Sequence, residues 1–219
     1  MTRPAARVRQ IISTLKRTHP DAKLALDFSS PLELLVALIL AAQCRDVLVN
    51  EVTPALFKKY RTAKDWAKLR QEEIRRISFF RMKTRSIHGA AAMLVEKFGG
   101  KVPDNLDELL ELPGVGRKTG NAVLANAFGQ PAIVVDTHTW RLSQRLGLTK
   151  KDDPDKAESD ETPLSSAAIE ADLVKIVPRK DWTKFCHLLQ FHGRRVCMAR
   201  KPNCPACSIN KLCPKIGVK

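Results

Sequence analysis

The chain has 219 residues, enough to bury a sizeable core as one domain or two small ones. Lysine and arginine outnumber aspartate and glutamate by 38 to 23, and a formal charge of +15 favours a polyanionic partner such as nucleic acid. No apolar run reaches the length of a membrane span, and no signal-peptide core follows Arg3, Arg7 and Arg9, so a cytoplasmic protein is expected.

Pro4 can open the first helix, and Val8, Ile11, Ile12 and Leu15 give Arg7–Thr18 one apolar face. Leu24–Ser29 reads as a connector. Ser30, Pro31 and Glu33 form a capping box with proline at the first helical position. The helix that follows, Leu32–Ala42, is apolar nearly all round and reads as the buried central helix. Its polar end is Gln43-Cys44-Arg45-Asp46. Asp46–Tyr60 continues as helix with a bend expected at Pro54. Thr62–Leu69 and Gln71–Ile77 are short helices. Ser78–Met82 is a break, and Lys83–Phe98 is a longer helix stopped by Gly99-Gly100.

Asp104 is read as the cap of a helix through Leu106, Leu109 and Leu110. Val123, Leu124, Ala127 and Phe128 mark a second helix stopped by Gly129. Leu112-Pro113-Gly114-Val115-Gly116-Arg117-Lys118-Thr119-Gly120 joins them as a tight turn. Gly114 and Gly116 permit positive φ and a close backbone approach. The second helix then presents its positive dipole end beside Arg117 and Lys118, an arrangement suited to an anion such as a DNA phosphate. Ala132–Val135 is the one β-like run and is too short to build a sheet, so the fold is expected to be all-α. Asp136 can cap a helix from Thr137 to Leu146, ended by Gly147. Lys150–Glu161 has no apolar face and reads as a solvated loop. Thr162-Pro163 restarts a helix to Val177, and Trp182–His192 is a last helix closed by Gly193.

Six cysteines in an intracellular chain argue for metal or free thiols rather than disulfides. Cys197, Cys204, Cys207 and Cys213 follow the spacing C-x6-C-x2-C-x5-C, with Pro202, Pro205 and Pro214 keeping the loop irregular. Four such thiols could hold zinc or an iron–sulfur cluster. From Trp182 onward there are eight Lys or Arg and no acidic residue, and Arg194, Arg195, Arg200 and Lys201 crowd the first cysteines. A basic loop facing DNA backbone is therefore expected. Cys44 and Cys186 fall outside the set and read as buried small apolar residues.

Lys118, in the first turn of the hairpin's second helix, is the candidate nucleophile. The helix dipole and Arg117 disfavour its charged form there, as partial burial would, and a neutral amine can form a Schiff base. Asp136 is the candidate carboxylate, able to stabilise a developing sugar cation or assist deprotonation of the nucleophile.

With the glycine turn, the apolar helix before Gln43, Val135-Asp136-Thr137-His138 and the cysteine tail together, the chain from about Ile11 to Pro214 resembles the endonuclease III branch of the helix-hairpin-helix DNA glycosylases. The resemblance implies a two-lobed fold: a six-helix barrel over residues 23–135, with residues 1–22 and 136–219 forming an iron–sulfur domain and a cleft between the two. It implies a [4Fe–4S] cluster on Cys197, Cys204, Cys207 and Cys213. It puts Lys118 at the catalytic lysine of L-P-G-V-G-R-K and Asp136 at the aspartate of V-D-T-H. Gln43 matches the glutamine that fills the space left by a flipped base, and Phe79 falls where the family places an apolar wedge. Gly114, Val115, Gly116, Arg117 and Thr119, together with Arg194, Arg200 and Lys201, are the further DNA contacts expected.

The implied activity is that of a bifunctional glycosylase and AP lyase of base excision repair. It would act as a monomer on double-stranded DNA, excise oxidised pyrimidines and cut 3′ to the abasic site. A non-catalytic or monofunctional relative that senses damaged or mismatched DNA is the alternative, and Lys118 with Asp136 favours the enzyme. The chain departs from the family at Cys44-Arg45, Ser78, Phe80 and Gly120, which leaves the preferred lesion open. His138, His187 and His192 are expected to be structural.

Overall fold

The computed structural model describes residues 4–149 and 165–218, which form ten α-helices and short 3-10 turns with no strand among the described residues. Ala132–Val135, the β-like run, is extended chain. The solvated loop expected at Lys150–Glu161 and the restart at Thr162-Pro163 lie outside the described residues. No helix among those described is long and apolar enough to cross a membrane. The chain divides into two compact units, one of Leu24–Gln130 and one of Met1–Lys23 with Pro131–Lys219.

The Leu24–Gln130 unit holds α2 (Pro31–Ala41), α3 (Asp46–Lys59), α4 (Ala63–Trp66), α5 (Phe80–Lys97), α6 (Leu106–Glu111) and α7 (Arg117–Ala127). α2 packs against α3, α5 and α7, as an almost wholly apolar helix must. Leu35, Leu40, Trp66, Ile87, Leu94, Leu109 and Val123 fill the core around it. Ser30 caps α2 by accepting from Glu33 N, but the reciprocal half of the capping box is displaced by one residue. Glu33 Oε2 accepts from Ser29 N and Ser29 Oγ rather than from Ser30. α3 runs through Pro54 unbroken. The expected break at Ser78–Met82 is narrower, because α5 begins at Phe80. Asn105, not Asp104, caps α6, its side chain accepting from Glu108 N at 3.0 Å.

The second unit holds α1 (Pro4–Thr18), α8 (Thr137–Arg145), α9 (Ser166–Ile176) and α10 (Trp182–Arg195). The predicted apolar face of α1, Val8, Ile11, Ile12 and Leu15, is buried together with Leu142, Ile169, Leu173, Phe185, Leu188 and Leu189. Burial of this kind contributes about 1.5–3 kcal/mol per large side chain. Gly193 does not close the last helix as expected; α10 continues to Arg195. Its role is close approach: a Cβ there would lie 2.7 Å from His138 Nδ1 and 3.0 Å from Arg141 Nη2. Glycine at this point lets α8 and α10 pack side by side.

Candidate functional site

In the Leu24–Gln130 unit the glycine turn between α6 and α7 is seated on α5. Gly114 has φ +81°, and a Cβ on it would lie 2.6 Å from Ser86 Cβ, so both conformation and space require glycine. A Cβ on Gly89 of α5 would lie 2.9 Å from Pro113 Cγ. Gly116 differs from Gly114: at φ −95° it is extended, and it serves as the N-cap of α7 with no side-chain cap hydrogen bond. Its lack of a side chain leaves the positive end of α7 uncovered on that side. Arg117 and Lys118 are exposed and Thr119 is half-buried. Partial burial of Lys118 is thus not seen. Val115 is 6% exposed and its N–H donates to Leu112 O, so its side chain belongs to the core.

Two further turns of this unit carry non-glycine residues in the left-handed region. Helix α2 stops at Ala41, short of the expected end, and Gln43 follows at φ +51° with its side chain exposed. Phe79, at φ +57° and 58% exposed, precedes α5. Cys44 is half-buried against the core.

In the other unit Asp136 caps α8. Its Oδ1 accepts from Thr139 N at 2.7 Å, and its Oδ2 accepts from Gln190 Nε2 of α10 at 3.1 Å. The carboxylate is half-buried and held at both oxygens. Beside it burial pushes the Cys186 thiol up to about 12, and Cys186 Sγ accepts from Val134 N at 3.2 Å, a buried structural thiol as expected. Burial also holds His187 down at about 4, with Lys184 adding to the effect.

Cys197, Cys204, Cys207 and Cys213 line one hollow, with Leu142, Arg145, His192 and Ile209. Burial pushes the Cys207 and Cys213 thiols up, and the neighbouring cysteines add to the rise. Arg145 Nη1 reaches Cys197 Sγ at 3.3 Å, Lys215 N donates to Cys213 Sγ at 3.3 Å, and His192 Nε2 lies 3.4 Å from Cys207 Sγ. Among the described residues no group of three or more His, Cys, Asp or Glu side chains is gathered so as to hold a metal ion.

The basic residues that shape this loop are not the ones the sequence singles out. Arg141 Nη2 donates to Gly193 O and Cys197 O, and Arg145 donates to Met198 O and Ala199 O. Arg7 donates to Leu212 O and Gly147 O. Arg195 is paired with Asp21 at 2.6 Å instead of facing the cysteines. Arg194, Arg200 and Lys201 are exposed, with Lys201 at φ +52°. Gln190, Arg141 and Arg145 escape a sequence reading because their partners lie 50 or more residues away.

Residues 36–164 match the family model described as HhH-GPD superfamily base excision DNA repair protein. An endonuclease III of Synechocystis sp. is 48% identical over 95% of this chain and 92% of its own length. One of Bacillus subtilis is 42% identical over 89% of this chain and 85% of its own length. A solved structure of a trapped endonuclease III–DNA covalent intermediate, an estranged-adenine complex, superposes with a TM-score of 0.86 at 42% identity, covering 96% of both chains.

Proposed function

The chain belongs to the HhH-GPD superfamily of base excision DNA repair proteins, and from that premise we propose that it is a bifunctional DNA glycosylase and AP lyase. The observation that carries this reading is Lys118, exposed in the first turn of α7 directly after the glycine turn, in a chain so similar to an endonuclease III trapped covalently on DNA.

A damaged nucleotide, an oxidised pyrimidine, is extruded from the duplex. The Lys118 amine attacks C1′, the N-glycosidic bond breaks, and the base leaves with its electron pair. Loss of the amine proton and opening of the sugar ring give a Schiff base. Removal of a C2′ proton then expels the 3′ phosphate by β-elimination, which cuts the strand. Asp136, anchored at both oxygens, offsets the positive charge that develops on the sugar as the base departs.

Gly114, Gly116, Arg117 and Thr119 hold a backbone phosphate at the start of α7, with Val115 serving only to shape the turn. Gln43 fills the space left by the extruded base, and Phe79 wedges into the stack. Arg194, Arg200 and Lys201 contact phosphates.

Residues 23–135 are read as the six-helix barrel, and residues 1–22 with 136–219 as the iron–sulfur domain, working as a monomer. Cys197, Cys204, Cys207 and Cys213 would hold a [4Fe–4S] cluster. Four cysteine thiols that line one hollow are the ligand set such a cluster takes. The cluster would fix the shape of the loop.

Borohydride trapping on a duplex with one thymine glycol tests the proposal. Wild type should give a covalent complex and Lys118→Ala none. Intact DNA binding without a wild-type complex would instead indicate a monofunctional or non-catalytic relative.

A further inference from the structure

Lys83 is the one fully buried lysine or arginine among the described residues, 2% exposed in the first turns of α5. Burial holds its ammonium below the usual lysine range, with Cys44 acting in the opposite sense. Taking an ammonium out of water is unfavourable, and a methionine would fill the same space without that cost. Its Nζ donates to Leu40 O at 2.7 Å. In a continuing helix that carbonyl would accept from Cys44 N. Here Cys44 N turns to Ala41 O at 3.0 Å, and the lysine meets the carbonyl instead. The charge therefore sits at the negative end of α2, where the chain leaves the helix for the Gln43 turn.

The same residue is tied to the second turn. Lys83 N donates to Phe79 O at 3.1 Å, the first bond of α5 after the left-handed Phe79. Gln43 and Phe79 are the two described non-glycine residues of this unit with positive φ. Such a conformation is sterically strained for a residue that carries a side chain. Strain of this sort persists where surrounding contacts over-determine it, and it collects at functional positions. Two strained, exposed side chains and one buried charge thus share a single set of contacts.

We propose that Lys83 is a positioning residue that locks the Gln43 and Phe79 turns to one another, so that the two side chains enter the DNA in fixed register. The assignment rests on the roles given above to Gln43 and Phe79. Lys83 touches neither substrate nor reacting atoms; it acts through the two turns.

The test uses the full chain and Lys83→Met. Amide exchange in residues 42–46 should accelerate about tenfold while the rest of the fold keeps its protection. Excision from a thymine glycol duplex should fall about tenfold. Trapping on a single-stranded abasic oligonucleotide, which needs no base extrusion, should be unchanged. In a Gln43→Ala Phe79→Ala background, Lys83→Met should cost less than about twofold, because its effect runs through those side chains. Persistence of the whole loss in that background overturns the proposal, as does undiminished duplex excision by the folded variant. If wild type excises nothing, the enzymatic reading fails, and unchanged exchange at residues 42–46 would then overturn the role of Lys83 separately. Should Lys83→Met not fold, Lys83→Gln, which keeps an N–H donor on a shorter stem, carries the same comparisons.

Discussion

Gln190 Nε2 on α10 donates to Asp136 Oδ2 at 3.1 Å, while the other oxygen of the same carboxylate caps α8. The two bonds separate what the charge does from what the cap does. Asp136→Asn keeps an N-cap oxygen, and Gln190 can turn its amide to offer Oε1 to the new NH2, so stability should change by less than about 0.5 kcal/mol while excision falls by about 100-fold or more. Asp136→Ala should add a loss of about 1 kcal/mol to the same catalytic defect. Thermal unfolding beside single-turnover excision reads both, and an active Asp136→Asn would remove the carboxylate from the reaction.

The thiol loop gives a spectroscopic prediction. Purified anaerobically, wild type should carry visible charge-transfer absorbance and about four irons per chain. Replacing any one of Cys197, Cys204, Cys207 or Cys213 by serine should bleach it, while Cys44→Ser and Cys186→Ser should not. One zinc per colourless chain would assign the site differently.

Two glycines of the hairpin should answer oppositely to alanine. Gly114→Ala forces a side chain into positive φ and onto Ser86 Cβ at 2.6 Å, and should destabilise by about 1–3 kcal/mol. Gly120 lies within α7, and the nearest obstacle to a Cβ is Leu106 Cδ1 at 2.8 Å, the movable end of a side chain. Gly120→Ala should gain up to about 1 kcal/mol from helix propensity once Leu106 turns aside. Urea unfolding of both variants checks the contrast.

Acid should weaken the fold through His187. Its folded value, about 4, lies below the ordinary histidine value of 6.5, because burial and Lys184 resist the added charge. The unfolded chain therefore binds a proton more readily, so the stabilisation is complete above 6.5 and is lost as pH falls from there toward 4. Each full unit of difference corresponds to about 1.4 kcal/mol, an upper bound for a ring that is only half-buried. His187→Gln should flatten the stability profile across that window; an unchanged slope would assign the acid sensitivity elsewhere.

Much of this architecture is written in local chemistry. The apolar stripe of α1, the all-round apolarity of α2, the Asp136 cap and the glycine turn each follow from residues within a few positions of one another. The misreadings share a cause. Gly193 reads as a helix stop because glycine usually is one, but the side chains that require it belong to α8. Lys83 reads as an ordinary helix lysine because its acceptor, Leu40 O, is 43 residues earlier. Gln190 and the arginines of the thiol loop are silent for the same reason: a hydrogen bond across the fold leaves no periodicity in the chain. The phenylalanine turn is visible as a break and Gln43 only as the polar end of a helix, whereas the left-handed backbone of both is not, since neither residue favours it.

Helix α8 spans only about 14 Å, nine residues at 1.5 Å each. Asp136 stands at one end, Arg141 at the middle holds Cys197 O, and Arg145 at the other end grips the carbonyls of Met198 and Ala199. A short rod clamped at both ends transmits tilt. Disorder in the thiol loop would therefore loosen the far end of the very helix that Asp136 caps, so injury to the loop would reach Asp136 without any change in Asp136 itself.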